Sequence, residues 1–423
     1  VKYSIEWLDQ QNNAVPEEAA TVADVRLFLN QVNVTEHLNG RVPQDHITIA
    51  MYGLAYGLAR DWWKIFGLRE GDVSLISYRS GYVVPDIRLR FDGAAFEIAA
   101  EQRVYDNPGV RFWAGPAEVI PRQEAEAHLG RFIEEILDRL KSLGMSESGA
   151  HTRWARVKSS LNNPAEALFC EAAGSLALDP YQIDGPTADF IEDAESVFRG
   201  QALVEFVAGS AGVRRPDLLD WVRRMLADRS SHYRVPDLES IVREAAGTRL
   251  PDLTPQAWAI GYKRARQVRQ VLNLDQADRF SSFRDIAKHL GAGPSFNVAP
   301  KAEGIRALRT HHSGGCQIHL RNHGESDVAR SQHLFAMARA LGDAACFLDD
   351  EQVAPINDLH NAYRQAAGRA FAAEFLAPVD EIRSMQADQH DLMSIADEFS
   401  VAPHVIERQI ENSARIAKAC SEY

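Results

Sequence analysis

The dipeptide Asp92-Gly93 separates two arms in which apolar residues alternate: Ile87, Leu89 and Phe91 before it, Phe96 and Ile98 after it. That pattern commits the surrounding chain to a hairpin. Gly93 supplies the positive φ of a tight turn, and the period of two puts the five apolar side chains on one face. The opening "VKYSIEW" alternates in the same way, and "VRLFLNQVNV" (25–34) reads as a strand, or as a hairpin with Asn30-Gln31 at its tip. Two helical patterns accompany these strands. "ITIAMYGLAYGLARDWWKIFG" (47–67) reads as one long apolar helix, and "PRQEAEAHLGRFIEEILDRLKSLG" (121–144) carries Leu129, Phe132, Ile133, Ile136 and Leu140 as one stripe before Gly144 ends it. Trp62, Trp63 and Trp113 read as core, with an interface as the alternative if they are exposed. Residues 1–147 are expected to be an α+β domain.

The pattern changes after that. Helical stretches separated by Pro, Gly, Asp and Asn run through 148–250, three of them opening on Asn163-Pro164, Arg215-Pro216-Asp217 and Val235-Pro236-Asp237. Proline suits the first helical turn, where its missing N–H has no intrahelical partner to lose. The helices are of unequal length and show no fixed period, so this is expected to be an all-helical domain and not a repeat array. "TRLPDLTPQ" (248–256) reads as a linker. Residues 251–423 are then expected to be a third, mainly helical domain with a small stranded region around "CQIHL" (316–320).

Composition narrows the function classes. The chain has 423 residues, with 46 Lys and Arg against 59 Asp and Glu, a formal charge of −13. A net negative chain is poorly suited to broad, sequence-independent nucleic-acid binding, which needs a basic surface. The four cysteines, Cys170, Cys316, Cys346 and Cys420, are far apart and form no Cys-x-x-Cys pair, which fits a reducing compartment. The first residues lack the apolar core of a signal peptide, and no run of about 18 apolar residues suggests a membrane span. A soluble cytoplasmic protein is the expectation.

The stretch "FAMARALGDAACF" (335–347) has a helical apolar face and an unusual set of residues, Arg339, Ala340 and Asp343, elsewhere. Further on, "QAAGRAFAAEFLAP" (365–378) forms a second helix, and "IADEFSVAPHVIERQI" (395–410) a helical pair. With "WAIGYKRARQVRQVLNL" (258–274) and "SFRDIAKHLGAG" (282–293) ahead of them, these elements in this order resemble the ImmA/IrrE family of zinc-dependent peptidases over residues 258–416. The resemblance implies a zincin-like fold for this part, in which a helix bearing His-Glu-x-x-His binds zinc. Two histidines four apart lie on one helical face, roughly 6 Å along the axis from each other, and a glutamate between them serves as general base.

Transferred residue by residue, the resemblance removes that chemistry. Arg339 and Asp343 stand at the ligand positions, Ala340 at the base position, and Gln365, Ala366 and Ala367 where an acidic third ligand belongs. Arginine offers no lone pair to a metal. The resemblance therefore implies a vestigial site at Arg339, Ala340, Asp343 and Gln365, with no catalytic residue and no cofactor. An i,i+4 ion pair between Arg339 and Asp343 is expected in place of the metal.

Other residues keep alternatives open. "HHSGGCQIHLRNHG" (311–324) could hold a metal through His311, Cys316, His319 and His323, although the spacing matches no standard zinc pattern and the glycines suggest a loop of solvated histidines. His319, His323, His333 and His360 are the fallback ligands if zinc is bound. The pair in 395–410 also fits a helix-turn-helix, with His404, Arg408 and Gln409 on the second helix beside Glu407 and Glu411, which repel phosphate. Lys263, Arg266 and Arg269, spaced three apart, read as a solvated basic stripe or, with His404 and Arg408, as a DNA-contacting surface. The resulting expectation is a non-catalytic ImmA/IrrE-like protein that acts by recognising another protein, a bacterial regulator or an assembly partner, in stress, mobile-element or phage-defence regulation. The alternatives are an active zinc endopeptidase with displaced ligands that cuts a helix-turn-helix regulator, a DNA-binding transcriptional regulator, and a structural subunit of a larger assembly.

Overall fold

The computed structural model describes residues 1–9, 14–106, 109–246, 256–312, 315–348 and 352–421. It is a mixed α/β chain that divides into two compact units, Val1–Asp184 and Gly185–Tyr423. No described helix is long and apolar enough to cross a membrane. The expected linker at 248–256 lies, but for Gln256, outside the described residues.

Among its described residues the first unit contains three small antiparallel sheets. The Asp92-Gly93 hairpin forms as its pattern requires, with Asp86–Phe91 paired to Ala95–Glu101 and Phe91 opposite Phe96. Asp92 fixes the turn by accepting from the backbone N–H groups of Ala94 and Ala95, at 2.9 and 2.7 Å, while Gly93 takes φ 99°. Its five apolar side chains are all buried. Asn30 and Gln31 both have positive φ, at the tip of the pairing between Val22–Leu29 and Val32–Asn33.

Two expectations for this unit need correction. Residues 47–67 are not one helix: Ile47–Ala50 is a strand paired with Val22–Val25, and the helices Tyr52–Arg60 and Trp62–Ile65 are separated at Asp61. Asp61 is buried and accepts from the Tyr78 hydroxyl at 2.9 Å, so its side chain is committed to a neighbour at the break. Trp62 and Trp63 are core, as expected, but Trp113 is 46% exposed. The units also divide the expected middle domain. The helices Gly149–Leu161 and Pro164–Ser175 belong to the first unit, where Trp154 packs on Trp62 with ring centroids 4.9 Å apart. Arg122 also grips the buried Glu171 with two hydrogen bonds of 2.8 and 2.9 Å. The later helices, Gly185–Glu195, Gly200–Gly209, Arg215–Ala227 and Leu238–Ala245, belong to the second unit.

The second unit is built around the helix Asp327–Phe347, here the central helix. Ser326 caps it by accepting from the Ala329 N–H, and Asp327 lies in the first turn, where a carboxylate complements the helix dipole. From Ala336 to Ala345 every residue is buried, so this helix has no solvent face over that stretch and the sequence pattern is correspondingly weak. Its small residues permit close packing. A Cβ added at Gly342 would stand 2.7 Å from the Cβ of Phe371, on the helix Tyr363–Leu376 that lies alongside. A three-stranded antiparallel sheet supports the central helix, with Ala307–His312 between Gly315–Leu320 and Val353–Ile356. The helices Ala257–Val271, Phe283–His289, Leu392–Glu398 and Pro403–Ser421 complete the unit in the order expected from the sequence.

Candidate functional site

Three of the sequence-derived positions, Arg339, Asp343 and Gln365, are brought together in the second unit, where the central helix meets the Tyr363–Leu376 helix. All three are at least 95% buried. The expected i,i+4 pairing of Arg339 with Asp343 gives way to longer-range partners. Asp343 accepts from Arg309 Nε at 2.6 Å, through Oδ2, and from Arg364 at 2.8 Å, through Oδ1. Arg309 comes from the middle strand and is itself fully buried. Burial opposes the ionisation of Asp343, but Arg364 and Arg309 outweigh it and hold the carboxyl below its ordinary range.

Arg339 is engaged one turn earlier. It donates to Gln365 Oε1 at 2.8 Å and to the carbonyl of Asn357, and it lies 3.4 Å from Asp358. Gln365 in turn donates to Glu205 Oε2 at 2.7 Å and to the Pro355 carbonyl at 2.9 Å, while its Oε1 also accepts from the Asn357 N–H at 3.0 Å. Glu205 is supplied by the helix Gly200–Gly209, and its Oε1 lies 3.9 Å from Arg364 Nε. Asn357 ties that helix down by donating to the Glu205 carbonyl at 2.9 Å. Three guanidiniums, from Arg309, Arg339 and Arg364, therefore meet three carboxylates, from Asp343, Glu205 and Asp358. Ala340 is fully buried and contributes no polar atom.

This set does not fit a zinc ion. Arg339 has no lone pair, Ala340 has no donor atom, and each oxygen of Asp343 already faces an arginine. A divalent cation beside Asp343 would also face the positive charge of the three guanidiniums. Sequence reasoning missed Arg309, Glu205 and Arg364. Two of them left a signal: Glu205 is a lone charge inside the apolar run "ALVEFVAG", and Arg309 sits within a strand otherwise free of acids and lysines.

The fallback ligands are spread over several environments. Far from being a solvated loop, the strands Ala307–His312 and Gly315–Leu320 pair with His311 opposite Cys316, and His319 is fully buried with its ring 4.4 Å from that of Tyr233. His323 and His333 do approach, at 5.1 Å between rings, but His333 Nε2 accepts the backbone N–H of His323 at 2.9 Å. Among the described residues no group of three or more His, Cys, Asp or Glu is arranged to hold a metal ion. Burial, with Arg321 and Arg306 adding to it, pushes His323 down to about 4.

The basic stripe is not a solvated face. Arg269 is buried and donates to the Phe375 carbonyl at 2.6 Å, and Arg266 binds the buried Glu374 at 2.7 Å and Asp380 at 3.3 Å. Lys263, on the same helix, is half-buried. On the helical pair, Gln409 is fully buried and donates to the Ala377 carbonyl at 2.9 Å. His404 and Arg408 line a cleft. That cleft has one lobe of about 510 Å³, with Trp258, Tyr262 and Ala370 in its walls, and another of about 250 Å³ beside Arg306, Arg339 and Asp358. Phe335, His360, Arg369, His404 and Val405 belong to both lobes. The face of Arg339 that is not tied into the buried network thus borders an open space.

No protein-family model, no curated protein and no solved structure matches the chain.

Two outcomes are expected of this geometry. Asp343→Asn leaves Arg309 and Arg364 without a full counter-charge and should cost about 3–5 kcal/mol in denaturant unfolding, the usual penalty for breaking a buried ion pair. Asp193→Asn, which removes the partner of Arg223 from an exposed pair, should change stability by less than about 1 kcal/mol. A comparable effect of the two would contradict the central role of Asp343. The second outcome concerns pH. His323 titrates near 4 in the fold but near its ordinary 6.5 when unfolded, so between those values the unfolded chain binds the extra proton. Its contribution is intact above about pH 6.5 and is lost as the pH falls to about 4. Melting temperatures measured over that window should fall less steeply in His323→Gln than in the parent, and an unchanged slope would remove His323 from the account.

Proposed function

We propose that the protein is a non-catalytic, ImmA/IrrE-like recognition protein whose second unit has kept the helical frame of a zinc peptidase and lost its metal. The observation that carries this reading is the set of side chains at the three converging positions. Arg339, Asp343 and Gln365 are spent on one another's neighbours in a buried network, whereas the cleft beside them remains large enough for a ligand. The order of the helices from Ala257 to the C-terminal pair supports the family reading, and the degenerate motif supports the loss of chemistry. In this reading the cleft holds a segment of a partner protein, as a peptidase groove does before cutting, and releases it intact. A bacterial regulator or a subunit of an assembly is the partner class that the resemblance suggests, and bacterial cytoplasm is the setting.

The active-peptidase alternative would need a donor set other than the one at Arg339 and Asp343. The DNA-reader alternative loses Arg266 and Arg269, which are engaged with Glu374 and the Phe375 carbonyl. His404 and Arg408 would be its remaining contacts.

Replacing Phe335, which borders both lobes, by a photo-crosslinking phenylalanine analogue tests the proposal in cells. Illumination should yield one predominant protein adduct of full partner length, with or without added zinc, and the same analogue at the exposed Val119 should not yield it. Adducts shortened in a zinc-dependent manner would favour a peptidase, and equal capture at both positions would dismiss the cleft as a recognition site.

A further inference from the structure

The cleft carries a charge that the chain as a whole does not. Four arginines, Arg306, Arg339, Arg369 and Arg408, border its two lobes, and Asp358 is the one carboxylate among the described wall residues. Asp358 is already used by Arg306 at 2.6 Å and by Arg339 at 3.4 Å. Arg408 stands 3.4 Å from Glu411 and is mostly exposed, so it counts for little on its own. The other three are held in place. Arg369 donates to the carbonyls of Leu359 and His360 at 2.9 and 2.7 Å, neutral acceptors that orient a guanidinium without cancelling its charge. Arg339 is 96% buried, and its Nε has no hydrogen-bond partner among the described residues.

The cations also weigh on one another. Arg339 is pushed down to about 10, first by burial and then by the charge of Arg369, with Arg306 adding to the effect and Asp358 opposing it. Burial lowers Arg369 as well, while Asp358 and Glu205 partly compensate. An anion in the smaller lobe would relieve this strain, since it would face Arg306, Arg339 and Arg369 together. The larger lobe offers something else: Trp258, Tyr262, Phe335 and Val405, an aromatic and aliphatic surface suited to a large apolar side chain.

We infer that the cleft recognises an acidic segment of its partner, with two neighbouring carboxylates seated against Arg306, Arg339 and Arg369 and a bulky apolar side chain anchored against Trp258, Tyr262 and Phe335. The inference rests on the recognition reading above and gives it a ligand chemistry. Two carboxylates suit the balance of the smaller lobe, where Arg306, Arg339 and Arg369 have Asp358 as their carboxylate among the described wall residues. The apolar anchor accounts for the aromatic lining, which a purely ionic ligand would leave uncovered. Arginine suits this task, because its planar fork donates to both oxygens of a carboxylate.

Selection of random heptapeptides displayed on phage against the full chain tests this directly, followed by calorimetry on the enriched peptides. The enriched set should pair two Asp or Glu residues with a nearby Phe, Trp or Leu. Its affinity should fall at least tenfold on raising the salt from 0.1 to 0.5 M, because exposed charge attraction is screened. His404→Glu places a negative charge at an exposed position in the cleft wall, and Arg369→Met removes a cation; each should weaken binding about tenfold or more. His404 is exposed, so its substitution leaves the fold intact even if Arg369→Met does not. Enrichment of neutral or basic peptides, or undiminished binding by His404→Glu, would overturn the acidic-segment inference while leaving the recognition reading in place. Failure to enrich any peptide would overturn the inference too. The recognition reading itself is judged separately, by the crosslinking at Phe335, and falls if that captures no protein or captures it equally at Val119.

Discussion

The second unit depends on the carboxylate of Asp343 more than on any other single group. Two guanidiniums, from Arg309 on the middle strand and Arg364 on the adjacent helix, are buried in the interior, where Asp343 meets both of them. Moving an unpaired ion into such an interior costs several kcal/mol even after relaxation. The pairing therefore couples three elements, the sheet, the central helix and the Tyr363–Leu376 helix, through one side chain. Glu205 and Gln365 extend the same logic to the helix Gly200–Gly209. A fold that encloses so much charge gains little net stability from it, but each partner becomes costly to lose.

That network also determines what the neighbouring surface can do. With Asp343 committed to two arginines, the centre of the site is a buried lattice of arginines, carboxylates and amides. Arg339 lies at its edge, tied inward to Gln365 and Asn357 and bordering the cleft on its other side. In the proposed reading the cleft serves electrostatic and apolar recognition, which needs no bound metal and no activated water. On that proposal a ligand is drawn by charge and retained by the aromatic lobe, with the hydrogen bonds to Gln365 and the Asn357 carbonyl holding Arg339 behind it.

The sequence made some of this legible and hid the rest for physical reasons. The Asp92-Gly93 hairpin and the Asn30-Gln31 turn were readable because their conformations demand particular residues. The same alternation rule failed at Ile47–Ala50, where a short apolar run suits a strand and a helix equally and its pairing with Val22–Val25 decided the matter. That Arg339, Asp343 and Gln365 share one site was expected from the family resemblance, which assigned them to its ligand positions. Their actual partners did not. Arg309 is 34 residues from Asp343 and Glu205 is 160 from Gln365, and no local pattern links positions so far apart. The expected Arg339–Asp343 pair was the nearest local solution, and longer-range partners with better geometry displaced it. The histidines misled for a similar reason: residues 311–324 look like a polar, glycine-broken loop, yet strand pairing buries His319 completely.

The most direct test is the metal content per chain, measured by elemental mass spectrometry on untagged protein purified from zinc-supplemented cells. A site built from Arg309, Arg339, Asp343 and Arg364 predicts less than about a tenth of an equivalent of zinc, against the large binding energy that a true structural zinc site supplies. Close to one equivalent, lost on Asp343→Asn, would contradict the account, because it would mean that the carboxylate holds a metal and not the two arginines.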